Sequence, residues 1–280
     1  MKVGFVGAGR MGQPMVRRLV AGGHEVQVAG RSDSVLAGLL ADGATPVASV
    51  KAVAAGADAV MVCVFSDEQV WEVARGEGLL EAMEPGSVLV LHTTGSPSTA
   101  RKLAELAAPR RVAVVDATVS GGPDEIAAGE ITVFVGGDQA AVDRVRHILG
   151  CYAEPLLHVG GTGSGQVVKL LNNALFAANV ALVGETARVA VDLGIAEQDL
   201  LKSLRHGSSD SRALGMIERI GSSEIFANTV GEFLGKDVAA VRRVASDLGA
   251  DLGVLRDVLD SPAGISVLGA ALIASPVHQN

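Results

Sequence analysis

Three glycines near the start of the chain have the spacing that a dinucleotide phosphate requires. Gly7, Gly9 and Gly12 form a G-x-G-x-x-G pattern directly after a short apolar run and at the start of a predicted helix. The first glycine permits a tight turn, the second lets the backbone approach a pyrophosphate, and the third lets helix and strand pack closely. The free N–H groups at the helix start favour phosphate. We therefore predict a dinucleotide site formed by Gly7, Ala8, Gly9, Arg10, Met11 and Gly12.

The end of the second predicted strand indicates which dinucleotide is bound. NAD sites usually have an acidic residue there for the ribose 2′-hydroxyl, but this chain has Gly30 followed by Arg31 and Ser32. A guanidinium can pair with a 2′-phosphate. Arg31 and Ser32 therefore favour NADP(H). The alternative is that Arg31 is a solvated loop residue and that NAD(H) is accepted as well.

A lysine in the second half of the chain interrupts an otherwise uncharged helical stretch. Lys169 and Asn173 are four residues apart, so they lie on one helical face, one turn from each other. Burying an ammonium group is costly without a partner or a use, and a lysine in a desolvated cleft can exchange a proton near the working pH. The alternative is a lysine that extends to solvent from a helix end.

A glycine-rich turn follows another predicted strand. Ser120, Gly121 and Gly122 come directly after it, and the backbone N–H groups of such a turn can converge on an anion. The alternative is an ordinary turn in which glycine permits a positive φ.

The elements that must position these residues divide the chain in two. Apolar runs alternate with Ala-rich helical segments up to about residue 159, which predicts βαβ units around a parallel sheet. The predicted strands are 2–6, 25–29, 59–65, 87–91, 111–115 and 131–135. Only helical stretches follow, punctuated by Gly194, Gly207, Gly221, Gly235, Gly249, Gly253 and Gly264. We predict a dinucleotide-binding domain over residues 1–162 and an all-helical domain over residues 163–280.

One long helix is predicted to join the two domains. Residues 165–193 contain no proline and have apolar residues on nearly every helical face, so we expect the helix to be buried on all sides. That favours packing between the domains and against a second subunit, in a homodimer or homotetramer. The alternative is two shorter helices broken near Gly184. Asn172, Asn173 and Asn179 argue against a membrane span.

Composition excludes several other classes of protein. The 280 residues carry a net charge of −8, with 49% hydrophobic and 19% charged residues, which indicates a large core and argues against nucleic-acid binding. Cys63 and Cys151 have no metal-ligand spacing, so we expect no metal site and a reducing, cytoplasmic location. The apolar stretch at residues 3–8 is too short for a signal peptide.

Five ordered motifs together resemble the β-hydroxyacid dehydrogenases, the family of 3-hydroxyisobutyrate dehydrogenase and tartronate semialdehyde reductase in the 6-phosphogluconate dehydrogenase superfamily. The motifs are residues 7–15, 22–31, 116–122, 163–173 and 236–238. The resemblance implies a Rossmann domain followed by an all-helical domain. It also implies NAD(P)-dependent oxidation of a small 3-hydroxy acid, or reduction of the matching semialdehyde.

The resemblance also implies roles for individual residues. Lys169 would be the general acid/base, and Asn173 would hydrogen-bond the reacting hydroxyl or orient Lys169. Ser120, Gly121 and Gly122 would hold the substrate carboxylate. Thr94 would lie near the nicotinamide ribose, and Lys236 would approach the cofactor.

The chain departs from the family pattern at a few positions. The family commonly has proline where Thr118 stands, and His92 and Gly95 beside Thr94 also differ from it. As an alternative, Lys236 and Asp237 form a solvated helix face.

Two other functions remain open. Imine reductases share the architecture but usually carry another residue in place of the lysine, and a non-catalytic NADP-binding module is a further alternative. Substrate specificity is expected from the helical domain, with Ser211, Arg212 and Phe233 as candidates.

Overall fold

The chain folds into two compact units. The computed structural model describes residues 1–268, apart from the side chains of Glu232 and Phe233. The units are Met1–Lys169 and Leu170–Asn280. The specificity candidate Phe233 therefore has its side chain outside the described residues.

The first unit is built on an eight-stranded sheet with strand order β3-β2-β1-β4-β5-β6-β7-β8. The strands are β1 (Lys2–Val6), β2 (Glu25–Ala29), β3 (Thr45–Pro46), β4 (Ala59–Val62), β5 (Val88–Leu91), β6 (Ala113–Ser120), β7 (Ile131–Gly136) and β8 (Ala153–Gly160). All neighbouring pairs are parallel except β6 and β7. This mostly parallel α/β sheet confirms the predicted fold class.

Helices connect the strands of this sheet. They are α1 (Gly12–Ala21), α2 (Asp33–Ala41), α3 (Val50–Ala54), α4 (Asp67–Trp71), α5 (Leu79–Ala82), α6 (Pro97–Ala107), α7 (Pro123–Ala128) and α8 (Gln139–Leu149). Side chains alternate between two cores, because successive strand residues point to opposite faces of a sheet. Ala59 and Met61 of β4 belong to one core, whereas Val60 and Val62 belong to the other.

The strand predictions were exact for β1 and β2 and less accurate toward the far edge. The predicted strand 59–65 ends at Val62, and β6 runs to Ser120 rather than to residue 115. Strands β3 and β8 were not predicted. The predicted parallel sheet contains one antiparallel pair, β6 and β7, which was not predicted. Only residues 121–130 join these two strands, and a parallel crossover needs about a dozen residues or more.

The described part of the second unit, residues 170–268, is helical. Helix α9 (Ser164–Asp192) begins in the first unit and continues into the second. It is followed by α10 (Glu197–Leu204), α11 (Arg212–Ile220), α12 (Ser223–Asp247), α13 (Val254–Asp260) and α14 (Pro262–Leu268). The long helix is confirmed, and the alternative of a break near Gly184 is wrong. Gly235 and Gly264 were expected to separate helices, but they lie inside α12 and α14.

Helix α9 is buried on one face and exposed on another. Leu170, Ala174, Ala177 and Ala181 contribute to the core of the second unit. The exposed apolar residues of this helix are Leu171, Leu175, Leu182, Val189 and Val191. The expectation of burial on all sides is therefore wrong for the single chain. By length and composition α9 could cross a membrane, but core helices of soluble proteins meet the same criterion, and α9 contributes to such a core.

Candidate active site

The three glycines of the turn after β1 differ in how much space a side chain would have at each position. Gly7 has a φ of +95°, and a Cβ there would lie 2.2 Å from the carbonyl oxygen of Cys63. A Cβ on Gly12 would lie 2.3 Å from the oxygen of Gly7. A Cβ on the exposed Gly9 would meet no protein atom within 4 Å. The turn therefore packs tightly at its first and third glycines and is open at the second, where a pyrophosphate approaches in dinucleotide sites. The residues present fit such a cofactor.

The predicted 2′-phosphate residues lie beside this turn. Strand β1 pairs with β2 on one side and β4 on the other, so the strand order reverses there, and dinucleotides bind at such a switch point. The Gly7 N–H donates to the oxygen of Ala29, the last residue of β2, at 3.4 Å. Arg31 and Ser32 follow Ala29 closely and are exposed. The structure thus brings these two residues to the edge that carries the glycine turn.

A buried carboxylate fixes the start of α9. Asp116 of β6 is 0% exposed. Its two oxygens accept the backbone N–H groups of Gly163 at 2.6 Å and of Gln166 at 2.8 Å. The Thr118 hydroxyl donates to the Gly165 oxygen at 3.0 Å. Burial raises the pKa of Asp116, while the N–H donors oppose that rise. The start of the helix that carries Lys169 is therefore attached to the middle of β6, where Asp116 pairs with Leu91, the last residue of β5.

The loop that carries Thr94 is held against the same helix start. The Gln166 side chain accepts the Gly95 N–H at 2.9 Å and donates to the Thr93 oxygen at 2.7 Å. On the other side, Asp67 accepts the Ser96 N–H at 2.8 Å. A Cβ on Gly95 would lie 2.2 Å from an Asp67 carboxylate oxygen, which accounts for the unusual glycine. Thr94 itself is half-buried.

His92, which follows the end of β5, links that end to Ala117 inside β6. Its Nδ1 lies 2.6 Å from the oxygen of Ala117, and its Nε2 lies 2.8 Å from the hydroxyl of the buried Tyr152. A carbonyl oxygen can only accept, so Nδ1–H donates to it and the Tyr152 hydroxyl donates to Nε2. Burial lowers the pKa of His92 to about 4. The histidine is therefore neutral and structural, which explains this second departure from the family pattern.

The predicted carboxylate site follows at the end of β6. Ser120 is half-buried, and Gly121 is exposed with a φ of +139°, a conformation that favours glycine. The Gly122 N–H donates to a carboxylate oxygen of Glu125 at 2.9 Å. That donor already has an acceptor in the protein, so Ser120 and Gly121 remain the better placed of the three for an external anion.

Asn173 and Asp237 connect two helices in the second unit. Asn173 is buried; its side-chain oxygen accepts from the Asn172 amide at 2.9 Å, and its amide nitrogen donates to Asp237. Asp237 and Lys236 lie on α12 and are half-buried. The solvated-face alternative is therefore wrong for Asp237. Asn173 lies on the same continuous helix as the half-buried Lys169, one turn further along.

Several residues that shape the site were not predicted from the sequence. They are Asp116, Gln166, His92, Tyr152 and Asp237. Asp116 had a usable signal, because an acidic residue between Val115 and Ala117 in an apolar strand requires donors. The partners of Gln166 and His92 are distant in sequence, and no local pattern identifies them.

The fold and the glycine turn define a dinucleotide-binding protein, and the comparisons with known proteins identify it as an NAD(P)-dependent oxidoreductase. A family profile described as the NAD binding domain of 6-phosphogluconate dehydrogenase matches residues 2–161. A second profile, described as the NAD-binding region of NADP-dependent 3-hydroxyisobutyrate dehydrogenase, matches residues 163–263. The chain belongs to the β-hydroxyacid dehydrogenase family.

Characterised relatives and solved structures agree with this assignment. A 2-(hydroxymethyl)glutarate dehydrogenase of Eubacterium barkeri is 32% identical over 77% of this chain and 71% of its own. An NAD-dependent L-serine dehydrogenase of Pseudomonas aeruginosa is 30% identical over 87% of this chain and 85% of its own.

Among structures, Mycobacterium tuberculosis 3-hydroxyisobutyrate dehydrogenase with L-serine has a TM-score of 0.83 at 26% identity, covering 92% of this chain and 91% of the other. A Streptomyces aurantiacus imine reductase shares the fold, with a TM-score of 0.67 at 22% identity, covering 96% of this chain and 98% of the other.

Proposed function

We propose that the protein interconverts a small 3-hydroxy acid and its semialdehyde or keto acid, with NADP(H) as the preferred cofactor. The observation that carries the proposal is the attachment of the start of α9 to Asp116 of β6 and to the loop that follows the carboxyl end of β5. Asp116 and Gln166 hold this helix start, and Lys169 follows Gln166 by one turn. This attachment supports Lys169 as a proton-transfer group near the edge of the sheet that carries the glycine turn.

In the proposed reaction, each residue of the site has its own role. When bound, the nicotinamide supplies or accepts a hydride at its C4. Lys169 Nζ gives a proton to the carbonyl oxygen during reduction and removes it from the hydroxyl during oxidation. Asn173 orients the reacting oxygen or Lys169, and its contact with Asp237 fixes its own rotamer. The Ser120 hydroxyl and the Gly121 N–H hold the substrate carboxylate.

The cofactor preference rests on the end of β2. Arg31 and Ser32 present a guanidinium and a hydroxyl to solvent beside the glycine turn, and Gly30 stands where an NAD site usually has an acidic residue. Thr94 and Lys236 complete the proposed cofactor contacts. The P. aeruginosa relative is named for NAD, so this preference is a property we propose for this chain.

We further propose that the protein is a soluble cytoplasmic dimer. Leu171, Leu175, Leu182 and Val189 are exposed on α9 and recur at intervals of four and seven residues, which places them along one helical stripe. A stripe of large apolar side chains on a long helix is typical of an interface with a second copy.

The experiment is turnover of NADPH and NADH with a panel of small aldehyde acids. Succinic, methylmalonate and tartronate semialdehydes and glyoxylate are each tested, together with butanal as the carboxylate-free counterpart of succinic semialdehyde. We expect NADPH oxidation with at least one acid and little with butanal, because Ser120 and Gly121 require a carboxylate.

The other outcomes identify the alternatives. Turnover of butanal at a rate equal to that of the best aldehyde acid would contradict the carboxylate site. Turnover of a cyclic imine but of no aldehyde acid would identify an imine reductase. Tight NADPH binding without turnover of any compound would favour a non-catalytic module.

A further inference from the structure

The side chain of Gln166 makes two different hydrogen bonds to one loop. Gln166 is 3% exposed. Its amide oxygen accepts the Gly95 N–H at 2.9 Å, and its amide nitrogen donates to the Thr93 oxygen at 2.7 Å. A primary amide presents one acceptor and one donor from adjacent atoms. Both capacities are used here, in a place where an unpaired polar group would be costly.

The loop is also held from its other side. The Thr93 hydroxyl accepts the Val64 N–H at 3.1 Å, and Asp67 accepts the Ser96 N–H at 2.8 Å. Those contacts join the loop to the segment that follows β4 along the chain, where Asp67 begins α4. Gln166 joins it to α9. Thr94 lies between the two residues that Gln166 binds.

Gln166 is also fixed in its own helix. Its backbone N–H donates to Asp116 at 2.8 Å. This bond holds the backbone of Gln166 in place, and with it the position from which the side chain extends. Lys169 is three residues further along α9, and residues three apart lie on neighbouring positions of one helical face. One turn of helix therefore carries both the proposed proton-transfer group and the amide that holds the Thr94 loop.

We propose that Gln166 is a positioning residue that sets the placement of the Thr94 loop relative to Lys169. This inference rests on the proposed function, in which Lys169 moves the proton and Thr94 contacts the cofactor. A displacement of about 1 Å between reacting groups can cost about a hundredfold in rate. The amide thus acts on turnover through geometry, without touching the reacting atoms.

The test uses Gln166→Glu, which keeps the shape of the side chain. An ionised carboxylate would place a second acceptor against the Thr93 oxygen and repel it. A protonated carboxyl group restores one donor and one acceptor. We expect kcat of this variant to be about tenfold to a hundredfold below wild type at alkaline pH and to recover toward wild type as the pH is lowered.

Gln198→Glu is the matched control, since Gln198 is exposed on α10 and the charge change is the same. Its kcat relative to wild type should not change with pH. All rates are measured well below the melting temperature of each variant, so that a loss of stability alone does not alter them. A ratio of Gln166→Glu to wild type that is constant across pH would overturn the proposal.

Gln166→Leu provides a second readout that needs no activity. It removes both hydrogen bonds with an apolar side chain of similar size. Amide hydrogen exchange of the cofactor-free protein should accelerate in the segment 92–96 and remain unchanged in β1. Unchanged exchange of that segment would also overturn the proposal. Absence of turnover by the wild-type protein would instead refute the proposed function, and with it the effect of Gln166 on catalysis.

Discussion

Mild acid should destabilise the first unit because His92 is buried in its neutral form. Burial lowers the pKa of His92 from 6.5 to about 4. The unfolded chain therefore binds a proton over a pH range in which the folded protein does not. By linkage, stability is fully present above pH 6.5 and is lost progressively as the pH falls toward the folded pKa. The Ala117 oxygen and the Tyr152 hydroxyl surround the ring.

The size of the effect follows from the two pKa values. Each unit of difference is worth about 1.4 kcal/mol, so the shift of His92 to about 4 corresponds to about 3 kcal/mol in total. Integrated between pH 7 and pH 5, the loss is about 2 kcal/mol. Burial also lowers the pKa of His24, which adds to the loss, and raises the pKa of Asp116, which opposes it. The part due to His92 is therefore the difference in loss between wild type and a His92 variant.

The assay is urea unfolding at both pH values, followed by the fluorescence of Trp71. Trp71 is the single tryptophan of the chain and lies in the same unit as His92. His92→Gln should be less stable at pH 7 and should lose about 2 kcal/mol less than wild type between pH 7 and pH 5. The exposed His206→Gln control should keep the wild-type difference. A His92→Gln protein that retained the full loss would refute the reasoning.

Three further predictions concern the cofactor turn, its specificity and the assembly. Gly9→Ala should weaken NADPH binding about tenfold but leave the melting temperature unchanged, because a Cβ there meets no protein atom within 4 Å. Gly7→Ala should weaken binding and also lower the melting temperature. A lower melting temperature for Gly9→Ala but not for Gly7→Ala would contradict the assignment. Arg31→Ala should raise the KM for NADPH about tenfold and leave that for NADH unchanged, and an equal rise for both would exclude a 2′-phosphate contact. Light scattering should give a monomeric mass for the double variant Leu175→Asp/Leu182→Asp. The control Leu40→Asp on α2 should keep the mass of the assembled protein. A double variant that remained assembled would show that the α9 stripe is not part of the interface.

Local features of the fold could be predicted from the sequence. Strands β1 and β2 and helix α9 were identified correctly because each has a strong pattern within a single stretch of chain. The position of β7 was predicted, but its antiparallel direction was missed, since strand direction depends on the length of the connection and on the partner strand. The exposed stripe of α9 was also missed, because hydropathy alone does not show which apolar face has a partner within the same chain.

In the candidate site too, some residues could be predicted from the sequence and others could not. The residues expected to touch cofactor or substrate stand in recognisable motifs, so Gly7, Ser120 and Lys169 were named from the sequence. The residues that hold these residues in place were not identified from the sequence. The partners of Gln166 are 71 and 73 residues away, and Tyr152 is 60 residues from His92. Such pairs are created only when the sheet assembles.

The central claim is that Lys169 moves the proton in an NADPH-dependent reduction of an aldehyde acid. The most direct measurement compares wild type and Lys169→Ala on the best aldehyde acid of the panel, with the Kd for NADPH measured by its fluorescence. We expect kcat to fall by about two to four orders of magnitude while the Kd for NADPH stays within about threefold of wild type. A Lys169→Ala protein with wild-type kcat would contradict the account.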